Sequence, residues 1–185
     1  MNGAKTEKGT VNTVSDYLVD YLKTNNHEVE VMEMRNEKIA PCLGCFSCWL
    51  KTPGKCVIKD AGSDLPRKVV QSDVLIGLTP VTFGLYSPEF KKAIDRFACP
   101  SILPFFTRIN GEFHHVIRYD KNPTLVFFGV LPSSDGESET TFKTLVSRNG
   151  INLRTPSFSS IVYSTDKPDI IKEKIASTFS EAGVQ

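Results

Sequence analysis

Four of the five cysteines lie within fifteen residues, at the spacing C-x2-C-x2-C-x7-C. They are Cys42, Cys45, Cys48 and Cys56. Thiolate sulfur binds both iron and zinc, and a tight loop can turn such closely spaced thiols toward one centre. Structural zinc sites usually take cysteine pairs from two separated knuckles, whereas three adjacent cysteines and a nearby fourth suit a [4Fe-4S] cluster. The spacing favours a cluster, and it leaves open a zinc ion or a set of free thiols.

The composition is that of an ordinary globular protein and argues against several functional classes. With 185 residues, 40% apolar and 23% charged, the chain suits one domain over residues 1–185. A net charge of +1 gives no electrostatic reason for a nucleic-acid or membrane partner. The sequence has no apolar run of about 18 residues and no signal peptide, so we expect a cytoplasmic protein. A reducing compartment favours metal or redox use of the clustered cysteines and leaves Cys99 as a packed thiol.

Short apolar runs alternate with amphipathic segments along most of the chain. Buried strands are predicted at 74–80 and 124–131, a third strand at 157–164 and an alternating strand at 27–34. Helices are predicted at 10–23, 64–71, 88–97, 139–148 and 168–182. Residues 99–122 form an irregular excursion that contains a hairpin with its turn at Asn110-Gly111. The alternation predicts an α/β fold in which helices cover both faces of a parallel sheet.

Loops at the carboxyl ends of parallel strands meet at one edge of the sheet, where such folds bind ligands. We therefore expect the loops at 3–12, 79–87 and 130–138 to converge on one site. The neighbouring Asp95 and Arg96 are interpreted as a surface ion pair on a helix, which would contribute little to stability.

The order of four segments resembles the flavodoxin-like NAD(P)H-dependent FMN reductases, and within them the iron-sulfur flavoproteins. The segments are NGA…GTVNT, PCLGCFSCW…GKCVIKD, SDVLIGLTPVTFG and KKAIDRF, within roughly residues 2–131. The resemblance implies a flavodoxin-like three-layer sandwich that binds FMN and carries a [4Fe-4S] cluster on the four cysteines. It also implies a homodimer or homotetramer that transfers electrons between NAD(P)H or a ferredoxin-like donor and a small-molecule or protein acceptor.

The same resemblance implies which residues contact FMN. The phosphate would bind at the loop before the first helix, at Thr10, Asn12 and Thr13. The isoalloxazine ring would lie against Thr79, Pro80, Val81, Thr82, Phe83 and Gly84. The loop after the next strand would also contact the ring, through Gly129, Val130 and Leu131. No catalytic side chain is implied, because the cofactors carry the chemistry.

The sequence departs from the family pattern at three places. The central strand that normally precedes the NGA segment is missing. Either the chain is truncated relative to the natural protein, which we expect, or the sheet closes in some other way. Thr82 replaces an aromatic residue of the flavin loop, and Asp60-Ala61 replaces a pair of acids after the fourth cysteine.

Two functional alternatives stay open. One is a cluster-free NAD(P)H-dependent FMN or quinone reductase, and the other is a zinc- or thiol-binding module without enzymatic activity. The choice between NADH and NADPH as donor is also open, because the cues that distinguish them in Rossmann folds do not transfer to a flavodoxin-like sheet.

Overall fold

A parallel sheet lies at the centre of the molecule, which a computed structural model describes over residues 1–184. The strands are β1 (Val74–Pro80), β2 (Ile102–Ile109), β3 (Glu112–Ile117), β4 (Thr124–Leu131) and β5 (Ser157–Tyr163). The parallel sheet has the order β1-β4-β5, and β2 pairs with β3 in a separate antiparallel hairpin. The three strands predicted for this sheet are confirmed. Strands β1 and β4 are short, mostly apolar runs, which suit strands covered on both faces, whereas β5 is buried only near its carboxyl end.

Helices cover both faces of this sheet. They are α1 (Thr10–Thr24), α2 (Ser47–Leu50), α3 (Leu65–Gln71), α4 (Pro88–Ser101), α5 (Gly136–Leu153) and α6 (Pro168–Glu181), with 3₁₀ turns at Met34–Asn36 and Ala61–Ser63. One core cluster joins α1 and α6 to the sheet, and a second joins α3, α4 and α5 to it. The predicted flavodoxin-like, three-layer fold is therefore confirmed. None of the helices described is both long and apolar enough to cross a bilayer.

The first three residues of the chain run parallel to β1. On one side, the Gly3 N–H donates to the Leu78 carbonyl at 2.7 Å. On the other side, the Asn2 N–H donates to the Met32 carbonyl at 2.8 Å. These few residues occupy the central position of the predicted strand order, between β1 and the chain segment around Met32.

The prediction of a strand at residues 27–34 is wrong. Glu33 forms only an isolated bridge with Asn2, and Met34 begins a 3₁₀ turn. A strand needs a hydrogen-bonded neighbour, but a cavity of about 630 Å³ lies between residues 27–32 and the first half of β1. The alternating pattern therefore lacks a partner over most of its length.

The predicted hairpin is confirmed in the excursion after α4. Its turn lies at Asn110 and Gly111, both with positive φ. The helices on either side of it are longer than predicted. Helix α4 continues to Ser101, and α5 begins at Gly136, where the Asp135 carboxylate accepts from the Ser138 N–H.

Candidate functional site

Loops from three parts of the chain meet at the carboxyl end of the sheet, as predicted. The Ser87 hydroxyl donates to the Gly3 carbonyl at 2.8 Å, and the Ser87 N–H donates to the Thr79 hydroxyl at 2.9 Å. Gly84 lies so close to α5 that a Cβ there would be 2.4 Å from the Thr141 Cβ. The loop after β1 therefore contacts both the N-terminal loop and the start of α5.

The loop before α1 has the donors that a phosphate group needs. The N–H groups of Gly9, Thr10 and Val11 have no acceptor within residues 1–184, and no side chain caps the helix. A helix N-terminus also carries a partial positive charge. Lys5 and Lys8 are exposed in the same loop. The unpaired N–H donors and the positive charge of this loop fit an anion such as the FMN phosphate.

The side chain of Asn12, a predicted phosphate ligand, is already used within this loop. Its amide nitrogen donates to the Thr6 carbonyl at 2.9 Å, and its oxygen accepts from Arg35 at 3.3 Å. Thr13 is exposed on the first turn of α1. Arg35 was not predicted from sequence; it pairs with Glu33 and has a buried Nε without a partner in the described chain. The sequence feature that could have identified Arg35 is its position as a basic residue directly after a segment predicted to be a strand.

The loop after β1, which is predicted to lie against the flavin, contains a tight turn that exposes an aromatic ring. Thr82 and Leu85 exchange N–H···O bonds of 3.1 and 3.0 Å, with Phe83 and Gly84 between them at φ values of 51° and 76°. These are the left-handed conformations of a type I′ turn. The Phe83 ring is 88% exposed. The aromatic surface that the sequence lacks at Thr82 is therefore present at the next residue.

Several predicted flavin contacts are buried. They are Thr79, Val81, Gly84, Gly129, Val130 and Leu131. The Thr79 hydroxyl donates to the carbonyl of the half-buried Pro80, and the Val81 N–H donates to the Val130 carbonyl at 2.9 Å. A Cβ on Gly129 would lie 2.7 Å from Val81. These residues support the loops from beneath, and the residues exposed at this end of β4 are 132–135.

The cysteine loop, residues 42–56, does not gather its four sulfurs. Cys42 and Cys45 are exposed, Cys56 is partly buried and Cys48 is buried. Within residues 1–184, no three side chains of the metal-binding types lie close enough together to hold a metal ion. Four thiols have the right chemistry for an iron-sulfur cluster, but in this arrangement the loop must rearrange before they can share one.

A buried ion pair closes the base of the cysteine loop. The Arg96 guanidinium donates to both carboxylate oxygens of Asp60, at 2.7 and 2.8 Å. It also donates to the carbonyls of Ala40 and Ile58, which lie on either side of the loop, at 2.9 and 3.1 Å. Burial alone would raise the pKa of Asp60, but hydrogen bonds from Arg96 and from the Ala40 N–H lower it.

The interpretation of Asp95-Arg96 as a surface ion pair is wrong. Asp95 pairs with Lys91 on the exposed side of α4, whereas Arg96 is 1% exposed. Helical spacing explains the difference, because Arg96 follows the buried Ala93 by three residues and so lies on the inner face. Asp60 also keeps a capping role, since its carboxylate accepts from the Gly62 N–H.

Cys48 lies against Cys99. The two sulfurs are 3.4 Å apart, although 51 residues separate them in the chain. Trp49 donates from its indole N–H to the Cys99 carbonyl at 2.8 Å, and its ring stacks on Phe46 and lies beside His115. Burial and the contact with Cys48 raise the pKa of Cys99 to about 12. Burial also raises the pKa of Cys48.

Sequence comparison gives one family and several curated relatives. Residues 1–118 match the family model described as NADPH-dependent FMN reductase. An iron-sulfur flavoprotein of Archaeoglobus fulgidus is 32% identical over 94 residues, which cover 51% of this chain and 42% of the relative. One of Methanocaldococcus jannaschii is 32% identical over 103 residues, covering 56% and 50%. The chain thus spans half or less of the length of these relatives.

Solved structures share the fold at low sequence identity. An NAD(P)H:quinone oxidoreductase from Methanothermobacter marburgensis has a TM-score of 0.69 and 13% identity, with coverage of 98% of this chain and 92% of that one. An FMN-dependent NADH-azoreductase from Bacillus anthracis, solved in complex with FMN, has a TM-score of 0.57 and 10% identity, covering 96% and 91%.

Proposed function

Because this chain belongs to the NADPH-dependent FMN reductase family, we propose that it is an FMN-dependent oxidoreductase that carries electrons from NAD(P)H or a ferredoxin-like donor to an acceptor. The observation that supports this most is the meeting of two features at one end of the sheet. The unpaired N–H groups at the start of α1 suit a phosphate, and the exposed Phe83 offers an aromatic surface.

In this proposal, the N–H groups of Gly9, Thr10 and Val11 hold the FMN phosphate, and the Thr82–Leu85 turn lies against the ring. FMN supplies the redox chemistry when it is bound. The protein contributes position, since the buried threonine and glycine residues of β1 and β4 fix the loops, and no side chain is assigned a proton transfer.

Replacing Thr10 by proline tests the phosphate site with little disturbance of the helix. Proline is favoured in the first helical position, so Thr10→Pro removes one N–H donor and keeps α1. A hydrogen bond to a charged group contributes about 1.5 to 3 kcal/mol, so FMN should bind roughly 10- to 150-fold more weakly. Thr10→Ala is the matched control, because it removes the hydroxyl and keeps the N–H.

Flavin fluorescence titration measures both variants, and the thermal melting of FMN-free protein checks that each has folded. If Thr10→Pro folds normally and binds FMN as tightly as Thr10→Ala, the phosphate does not use this N–H group and the proposed site is wrong.

We further propose that Cys42, Cys45, Cys48 and Cys56 hold a [4Fe-4S] cluster. The names of the relatives describe those proteins as iron-sulfur flavoproteins. Support comes from the thiol donor set and from the exposed position of much of the loop, which leaves it room to rearrange above the Arg96–Asp60 pair. A bound cluster would supply one-electron transfer.

Metal analysis of anaerobically purified and reconstituted protein separates the alternatives. Close to four irons per chain would support the cluster, and about one zinc without iron would support the zinc-binding alternative. A cluster-free reductase should keep NAD(P)H oxidation in Cys45→Ala, whereas a cluster-dependent one should lose electron transfer to its acceptor.

The exposed side of the hairpin supports the proposed homodimer or homotetramer. Phe106 and Phe113 are each more than 60% exposed, one on each strand, and the strand pairing places them on the same face. Exposed apolar side chains in one place are typical of interaction surfaces. Light scattering coupled to size-exclusion chromatography would test this, since Phe106→Asp should lower the measured mass toward that of a monomer.

A further inference from the structure

The thiols of Cys48 and Cys99 lie close enough together to form a disulfide bond after a small movement. Their sulfurs are 3.4 Å apart, and a disulfide bond is about 2.0 Å long, so closure needs an approach of about 1.4 Å. Rotation of the two side chains can cover much of such a distance without large backbone movement.

The chain segments that carry the two cysteines are fastened to each other. Trp49, next to Cys48, donates to the Cys99 carbonyl at 2.8 Å. Arg118 of the adjoining segment donates to the carbonyls of Pro100 and Cys48, at 2.8 and 3.4 Å. These bonds hold α2 against the end of α4, so the closeness of the sulfurs is fixed by the surroundings of both residues.

We propose that Cys48 and Cys99 form a reversible disulfide in the metal-free protein. A small-molecule disulfide such as oxidised glutathione is the oxidant. One protein thiolate attacks it and forms a mixed disulfide, which releases one glutathione thiolate. The second protein thiolate then attacks the mixed disulfide and releases the other. The two protein thiols lose two electrons and two protons, and oxidised glutathione gains them as two reduced molecules.

The disulfide has a consequence for the proposed cluster, and this part rests on the function proposed above. Cys48 is one of the four proposed ligands, so a bond to Cys99 removes a thiolate from the set and holds it at α4. Oxidation would thus block cluster assembly, and reduction would restore it.

The test uses the full-length, metal-free protein and oxidised glutathione. The incubation is long and at about pH 8.5, because the thiolate and not the thiol attacks a disulfide. Free thiols are then alkylated in acid. In the tryptic digest, a bond to Cys99 joins peptide 39–51 to peptide 97–108, whereas a bond between Cys45 and Cys48 lies within peptide 39–51, and fragmentation identifies the bonded cysteines. We expect the link between Cys48 and Cys99 to exceed that between Cys45 and Cys48 by about tenfold or more, because the native fold holds the first pair together.

The same protein unfolded in urea is the control. There the closely spaced Cys45 and Cys48 should join in preference, since closing a short loop costs less entropy. Cys45→Ser should retain the native cross-link and Cys99→Ser should lose it. A native protein that forms mainly the Cys45–Cys48 link, or only glutathione adducts, would overturn the proposal.

Iron reconstitution separates this inference from the cluster. If the cross-link forms but even the never-oxidised protein takes up no iron, the disulfide is supported and the cluster is refuted. If the reduced protein takes up iron and no cross-link forms on oxidation, the cluster stands and the disulfide is refuted. If both hold, the oxidised protein should take up iron only after a reductant is added.

Discussion

Substitution of Arg96 by methionine should destabilise the protein severely, because it leaves a buried carboxylate without its partner. Arg96 donates four hydrogen bonds, two to Asp60 and one each to the carbonyls of Ala40 and Ile58. Removing one partner of a buried ion pair costs about 3 to 5 kcal/mol. The Asp60 side chain is 14% exposed and keeps the N–H groups of Ala40 and Gly62, so we expect the lower end of this range, about 3 kcal/mol.

Equilibrium unfolding in urea measures this free energy, and α4 itself offers a matched control. Lys91→Met breaks the exposed pair with Asp95 on the same helix and should cost less than about 0.5 kcal/mol. In a double-mutant cycle, Arg96→Met and Asp60→Asn together should cost clearly less than the sum of the two single changes.

A second measurement locates the effect at the cysteine loop. The reaction of Cys48 and Cys56 with a thiol reagent should be faster in Arg96→Met, because the two ends of the loop are no longer held together. If Arg96→Met costs under about 1 kcal/mol, or if its effect simply adds to that of Asp60→Asn, the pair does not fasten the loop and this reasoning is refuted.

Three further predictions concern the two ends of the sheet. Burial lowers the pKa of the Met1 amine from 8.0 to about 6, so the folded protein binds fewer protons than the unfolded chain. The free energy of unfolding should rise by about 2 kcal/mol between pH 6 and 8, and N-terminal acetylation should abolish this component in urea titrations. Fusing five β-branched residues ahead of Met1 should fill the 630 Å³ cavity, pair with β1 and raise the melting temperature, unlike a Gly-Ser extension of equal length. Phe83→Asn should raise stability by roughly 1 kcal/mol through relief of the left-handed strain while weakening FMN binding; equal or tighter binding would contradict the assigned ring contact.

The parallel strands could be predicted from sequence because their environment is uniform. Strand β4 is buried along almost its whole length, so nearly every position is apolar and the boundaries coincide with the end of the run. Residues 27–34 show the opposite case. Their alternation has the period of a strand, but period alone does not supply the hydrogen-bonding neighbour that a strand requires.

The candidate site was harder to predict because its determinants are contacts between distant residues. Sequence spacing identified the four cysteines, but Cys99, which approaches Cys48, lies far along the chain in another helix. The residues predicted to contact the flavin include exposed residues that can touch a ligand and buried residues that only support the loop, and the sequence does not distinguish the two. Phe83 is exposed on a turn, whereas Thr79 is fully buried and its hydroxyl holds the loop.

Helix α4 connects the proposed flavin end to the cysteine loop. Ser87 caps its first turn and donates to Gly3, and Arg96, nine residues later, holds the loop base. At 1.5 Å per residue, the two anchor points are about 14 Å apart along a rigid helix. Such a spacer should keep the two regions energetically independent within one chain. Arg96→Met should therefore leave FMN affinity unchanged, and Thr10→Pro should leave thiol labelling unchanged. A change in either would mean that the phosphate loop and the cysteine loop act as one site.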